Sequence, residues 1–285
     1  MRKVAIISKP GKAELATLLP ELMAWLRERE LEPVLDLASG QYVGAVEVHD
    51  RMTMHELHPE LVVVLGGDGT LLSAARAFAK TDVPVLSVNL GSLGFLTEVP
   101  LGDLYKTLEG WLAGTCLIDT RWMMHAELCR GGKLLREWEA LNDVVVSKGA
   151  IARMGDFTIM LDGQFVARFR ADGVIVATPT GSTAYSLAAN GPILMPSVDA
   201  MVVTPVCPHL LTIRPIVMPG GVAVSVHVEG IPDISYLTVD GQEAVEMQVG
   251  DVVNCRRSDY FVKLLRLTEN GLFNVLRSKL KWGER

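Results

Sequence analysis

Cysteine is scarce in this chain, with four in 285 residues, and Cys116, Cys129, Cys207 and Cys255 are widely separated with no CxxC spacing. That pattern argues against a structural zinc site and against a disulfide framework, and it fits a reducing cytosol. Long hydrophobic runs are missing as well. The most apolar stretches, 61–65 and 221–228, are strand-length, far short of the roughly 18 residues a membrane-spanning helix needs, so no membrane role is expected. Positive charge is not in excess: 27 Lys and Arg stand against 33 Asp and Glu, a net charge of −6. Broad, sequence-independent binding to nucleic acid needs a cationic footprint, so nucleic acid is not an expected partner, although a local basic pocket remains compatible. The start, MRKVAIISKPGK, has too short an apolar stretch and no cleavage site for a signal peptide, and reads as a first strand. His55 and His58 in HELH lack the i, i+4 spacing of a metal helix and read as a surface turn. Neither GxxxxGK[ST] nor GxGxxG occurs, and there is no repeat or low-complexity segment.

What is abundant is apolar character: 49% of the residues are hydrophobic. With no span to absorb it, that surplus points to a homo-oligomer. The length suits one large or two medium domains. Across the first 120 residues strand and helix patterns alternate. Strands are expected at 3–9, 32–37, 61–65 and 83–88, and helices at 12–30, 70–80 and 102–113. Runs apolar on both faces, separated by helices, predict a mostly parallel sheet covered on both sides. Beyond residue 120 strand patterns follow one another at 126–129, 134–146, 157–161, 164–169, 222–228, 234–239, 252–256 and 261–266, with tight turns at Asp162-Gly163 and Asp240-Gly241. One helix is expected there, at 182–189, closed by Asn190-Gly191-Pro192. The fold class is therefore α/β plus β: an α/β domain over 1–120, a mostly antiparallel β domain over 121–267, and a tail, 268–285, free to pack back on the first.

In the stretch LVVVLGGDGTLLSAA, a buried strand runs into Gly66, Gly67, Asp68, Gly69 and Thr70, and then into a helix. Ligands of open α/β sheets bind beyond the carboxyl ends of the strands. A glycine turn there exposes successive N–H groups and leads into a helix N-terminus, which makes a phosphate cradle. Asp68 and Thr70 have two readings: helix caps, or, for Asp68, a carboxylate that takes a proton from a substrate hydroxyl or helps hold Mg²⁺. The stretch ATPTGSTAYSLAANGP places the hydroxyls of Thr178, Thr180, Ser182, Thr183 and Ser186 around a Pro–Gly loop, with Ala184 small and Tyr185 aromatic. Hydroxyls and amides for polar edges, and an aromatic to lie against a base, suit a nucleotide pocket.

GGDGT followed in order by NLGSLGFLTE (89–98), LNDVVV (141–146), TPTGSTAYS and CPHLLTIRP (207–215) resembles bacterial NAD kinases over most of the chain. GGDGT alone is shared with lipid kinases, so a lipid kinase is one rival reading and a non-catalytic NAD(P)-binding regulator another. The resemblance implies transfer of the γ-phosphate of ATP to the 2′-hydroxyl of the adenosine ribose of NAD, giving NADP. It also implies a divalent metal such as Mg²⁺, a cytoplasmic homodimer or homotetramer, and an active site between the two domains. By position it implies Asp68 as general base with Gly69 beside the substrate, and Asn142 and Asp143 as the Asn–acidic pair on the nucleotide, Asp143 standing where Glu is usual. Thr183, Ala184, Tyr185, Ser186, Leu187 and Ala188 fall on the adenosine-binding loop. Arg153, Arg170, Asp172 and Gln242 fall around the dinucleotide. On their residues alone these four are also explained as two surface charges, a turn aspartate and a strand-start glutamine. Asn190 stands where glycine is common, which concerns the helix end.

Overall fold

Strands built almost wholly of Val, Ile and Leu need cover on both faces, and the computed structural model shows that cover. It describes residues 1–45, 47–91, 94–149, 153–230, 235–267 and 271–283. The chain divides into one unit of Met1–Thr120 with Phe261–Arg285 and a second of Arg121–Tyr260.

In the first unit β1 (Arg2–Ser8), α1 (Leu15–Arg27), β2 (Leu31–Leu35) and α2 (Leu37–Val43) are followed by a 3-10 helix at Arg51–Leu57. Then come β3 (Leu61–Gly66), α3 (Asp68–Ala77), β4 (Val85–Asn89), the short β5 (Val99–Pro100) and α4 (Leu104–Leu112). β1 pairs in parallel with β2 and β3, β3 with β4, and β4 with β5. All six residues of β3 are buried. One face of α1 buries Leu15, Leu18, Leu19, Leu22 and Leu26, which pack with Val4, Ile6, Leu61, Val63, Leu65, Leu86 and Val88. Each such burial contributes about 1.5–3 kcal/mol, which offsets the roughly 3 kcal/mol cost of Pro20 inside the helix. α1 is shorter than the predicted 12–30, because Lys12 donates its backbone N–H to the Tyr42 hydroxyl (2.8 Å) and Glu30 turns to φ +59°. HELH lies at the surface as expected, but His55–Leu57 are the end of the 3-10 helix and His58 its C-cap at φ +51°; Asp50 caps the other end through Met52 N (2.8 Å), and Met54 is buried.

The second unit holds β6 (Leu117–Arg130, which starts in the first), β7 (Lys133–Ala140), β8 (Asp143–Lys148), β9 (Gly155–Leu161), β10 (Gln164–Ala171) and β11 (Gly173–Ala177). After the one-turn α5 (Tyr185–Ala188) come β12 (Ala200–Val206), β13 (Ile216–Pro219), β14 (Val224–Gly230), β15 (Ser235–Val239), β16 (Glu243–Glu246) and β17 (Val252–Arg266). β10, β9, β14 and β17 form an antiparallel sheet in that order, and β13, β12, β11, β8, β15 and β16 form another. Val144, Val146, Val174 and Val176 of one meet Phe157, Ile159, Val224, Val226 and Val253 of the other in a single core. The two strands expected at 252–256 and 261–266 are one strand. Its last residues belong to the first unit, where Leu264 pairs in parallel with Val85, so the second unit ends at Tyr260, not at 267. α6 (Gly271–Leu280) also belongs to the first unit. The helix expected at 182–189 is a 3-10 turn at Gly181–Thr183 and then α5, broken at Ala184, whose ψ is −128°. Ile234, expected in a strand, lies outside the described residues, as do Ser92 and Leu93 of the 89–98 motif. Among the described residues no helix is long and apolar enough to cross a membrane.

Phe157 is among the largest fully buried side chains, and its ring lies 6.5 Å from that of Phe169. Phe157→Ala is expected to cost about 3–5 kcal/mol, read as a lower denaturant midpoint in urea unfolding; a midpoint within error of the parent would contradict this account of the core.

Candidate active site

The glycine turn sits at the carboxyl end of β3, between those of β1 and β4 in the sheet. Asp68 is the first residue of α3, yet its side chain does not cap the helix. It turns to the segment after β4. Oδ1 accepts from Leu96 N (3.1 Å), Thr97 N (3.0 Å) and Thr97 Oγ1 (3.0 Å), and Oδ2 accepts from Phe95 N (2.9 Å). The capping explanation therefore fails for Asp68. Gly94 makes the approach possible: a Cβ there would lie 2.1 Å from Asp68 Oδ1. Gly66 is fixed for a similar reason, its Cβ position being 2.5 Å from Thr70 Oγ1. Gly67 has open space around it and Gly69 is exposed. Asn89, which the sequence reading did not single out, ties the segment together. Its amide donates to Thr97 O (3.3 Å) and Thr97 Oγ1 (3.1 Å), and its oxygen accepts from Gly91 N (2.7 Å).

In the second unit the organising group is Asp240, which sequence reading treated only as a turn residue. At φ +50° in the β15–β16 hairpin, its carboxylate accepts from Leu141 N (2.9 Å), Asn142 N (2.7 Å) and Asp143 N (3.1 Å). The Pro–Gly loop is fastened to the same place. Thr178 donates its N–H to Asn142 O (2.9 Å) and its hydroxyl to Leu141 O (2.6 Å). Gly181 packs so closely that a Cβ would lie 2.0 Å from Asn142 O.

The hydroxyls expected to face a ligand are mostly engaged within the protein. Ser182 Oγ bonds Pro179 O (2.6 Å), Thr183 Oγ1 bonds Thr180 O (3.1 Å) and Ser186 Oγ pairs with Thr204 Oγ1 (2.8 Å), while Thr180 Oγ1 accepts from Arg121 (3.2 Å). They shape the loop. The groups left toward solvent are Tyr185, 46% exposed, and Ala188, with Ala184 and Leu187 half-buried. Asn142 Oδ1 is buried and has no hydrogen-bond partner among the described residues. Asn190 takes φ +65° after α5, a conformation Asn tolerates nearly as glycine does.

Four expected residues are tied elsewhere in the unit or stand apart. Arg170 lies 3.4 Å from Asp156 across β9 and β10, and Asp172 pairs with Lys148 at 2.8 Å. Arg153 is exposed, and Gln242 is an exposed residue of the hairpin turn whose N–H bonds Val239 O (3.0 Å).

Electrostatics single out Asp143. Burial, then the charge of Asp240, raise its carboxyl from the usual 3.8 to about 7, against the lowering effect of a hydrogen bond from the Tyr185 backbone.

A carboxylate held beside a glycine turn at the carboxyl end of a parallel sheet, and a buried amide oxygen with no partner among the described residues, suit a nucleotide phosphotransferase. Comparison with known proteins agrees. The ATP-NAD kinase N-terminal domain matches residues 4–116 and the ATP-NAD kinase C-terminal domain matches 141–267. NAD kinases of Acidobacterium capsulatum and Koribacter versatilis are 65% and 52% identical to the chain, each over the full length of both proteins. Yeast NADH kinase, solved in complex with NADH, superimposes with TM-score 0.89 at 26% identity, over 100% of this chain and 89% of that one. An NAD kinase from Archaeoglobus fulgidus, solved with ATP, shares the fold with TM-score 0.76 at 22% identity, over 98% of each chain. The chain belongs to the ATP-NAD kinase family. It is a kinase, and ATP is the family's phosphoryl donor.

The raised value of Asp143 has a consequence for stability. A carboxyl whose folded value exceeds its unfolded one contributes fully below about pH 4, and that contribution is lost as pH rises through about 7. Asp143→Asn is expected to melt with the parent near pH 4 and above it near pH 8, as followed by calorimetry; a difference that does not change with pH would contradict the assignment.

Proposed function

We propose that the protein transfers the γ-phosphoryl group of ATP to the 2′-hydroxyl of the adenosine ribose of NAD, giving NADP, with Asp68 as the general base. The observation that carries this reading is the holding of Asp68. Three donors fill Oδ1 and one backbone N–H holds Oδ2, so Oδ2 keeps room for a proton at a fixed place beside the turn. The ribose oxygen attacks the γ-phosphorus, its proton passes to Oδ2, the bond to the β-phosphate oxygen breaks and ADP leaves. Gly66, Gly67, Gly69 and Thr70 shape the phosphate loop, and the N-terminal end of α3 favours negative charge there. Among the described residues no three His, Cys, Asp or Glu side chains are grouped to hold a metal, so a divalent ion such as Mg²⁺ is assigned to the oxygens of the nucleotide phosphates rather than to a protein cage.

For the acceptor, the buried Asn142 oxygen has no donor among the described residues, and the adenine amino group is one. Asp143 stands beside it. Ala184, Tyr185, Leu187 and Ala188 offer backbone and apolar contact to the adenosine, whereas Thr183 and Ser186 serve through the shape their internal bonds impose. Arg153, Arg170, Asp172 and Gln242 are assigned around the dinucleotide; Arg170 and Asp172 would exchange their present partners for substrate groups. The setting is the cytoplasm, in keeping with four free thiols. The assembly is a homodimer or homotetramer, in keeping with Leu211 at 87% exposure and with Ile216 and Val217 exposed on β13.

Asp68→Asn keeps the shape and most of the hydrogen-bond acceptance but removes the proton acceptor. Its turnover, measured as NADP formation by coupling to an NADP-specific dehydrogenase, is expected to fall by roughly 10²–10⁴, with NAD affinity changed less than about threefold. Parent-like turnover would remove Asp68 from the chemistry.

A further inference from the structure

The loop after β1, Lys9-Pro10-Gly11-Lys12, has no role in the mechanism above, yet the sheet order brings it to the glycine turn. β1 and β4 flank β3, so the loops leaving all three lie side by side at one edge. Lys9 begins the first of them against the turn: its N–H bonds Leu65 O (2.9 Å), and its Cβ is 3.2 Å from where a Cβ on Gly66 would stand. Lys12 reaches further. From the β1 side its ammonium extends to the β4 side and donates to Leu90 O (3.2 Å). Two strand spacings, about 10 Å, separate β1 from β4, so the side chain bridges the edge at which the β3 turn opens. Beside the ammonium lies a cavity of about 390 Å³ lined by Glu14, Asn89, Leu90, Gly91, Pro100 and Leu101.

The ammonium is not what closes the loop. Tyr42 does that from α2, its hydroxyl accepting from Lys12 N (2.8 Å) and donating to Lys9 O (3.2 Å). Of the three ammonium donors, one is used on Leu90 O. Glu14, 4.0 Å away and 46% exposed, is a loose partner that water screens. A partly exposed cation with one hydrogen bond among the described residues, next to a cavity and a phosphate turn, matches an anion that arrives and departs.

We propose that Lys12 binds the donor: its ammonium contacts the β- and γ-phosphate oxygens of ATP over the glycine turn. The assignment rests on the kinase reading above and adds to it the residue that recognises the terminal phosphates. It also gives the SKPGK loop a function, that of presenting one lysine from a rigid turn.

The test is calorimetric binding of ATP and of AMP, without NAD, to the parent, Lys12→Met and Lys12→Arg, with melting temperatures measured alongside. Loss of one charge-assisted contact is expected to weaken ATP binding about ten- to hundredfold in Lys12→Met. AMP binding should change less than about threefold, because AMP lacks the terminal phosphates. Lys12→Arg should recover most of the loss with the melting temperature unchanged. Equal losses for ATP and AMP, or no loss for ATP, would overturn the assignment. Because acceptor is absent, a failure here is distinct from a failure of the parent to make NADP, which would overturn the function reading while leaving the ATP contact standing.

Discussion

An aspartate carboxylate that gathers three consecutive backbone N–H groups is the interaction on which both halves of this protein rely. In the first unit Asp68 collects those of Phe95, Leu96 and Thr97. In the second, Asp240 collects those of Leu141, Asn142 and Asp143. Hydrogen bonds to a charged acceptor are stronger than neutral ones, and three in a row fix the path of the segment that donates them. Phe95 to Thr97, and Leu141 with Asn142, lie outside helix and strand, so there the carboxylate supplies what regular structure does not; Asp143, the third donor to Asp240, already opens β8 opposite Ala177.

The same device explains why glycines stand where they do. A side chain on Gly94 would occupy the space of the Asp68 carboxylate, and one on Gly181 would run into the Asn142 carbonyl. These are demands of close approach. The two aspartates differ in what is left over. Asp240 gives its oxygens to the segment it organises, where Asn142 Oδ1 is buried with no partner among the described residues, whereas Asp68 Oδ2 accepts a single N–H and the residue is only partly buried.

Much of the first unit was legible in the sequence because its strands are buried on both faces and read as unbroken apolar runs. β3 and the GGDGT turn were placed within a residue or two for that reason. The second unit was harder. β12 contains Pro205 and β13 ends in Pro219, so neither looks like a strand by composition, and both were missed. The role of Asp240 was invisible for another reason: its partners lie 97 to 99 positions away in the chain, a distance over which no local pattern carries information. The hydroxyls of 178–186 were read from the sequence as polar edges of a nucleotide pocket, and the structure shows a further use for them. Most of them hold the loop in shape, a choice between partners that only three-dimensional structure decides.

The central claim is that the fixed Asp68 directs one ribose hydroxyl to the γ-phosphorus, which makes the position of the new phosphate the most direct observable. The measurement is phosphorus NMR of the product formed from NAD, ATP and Mg²⁺ by the intact protein. The account expects a single new monoester resonance assigned to the 2′-position of the adenosine ribose. A 3′-phosphate, a mixture of the two, or release of phosphate from ATP with NAD unmodified would contradict it.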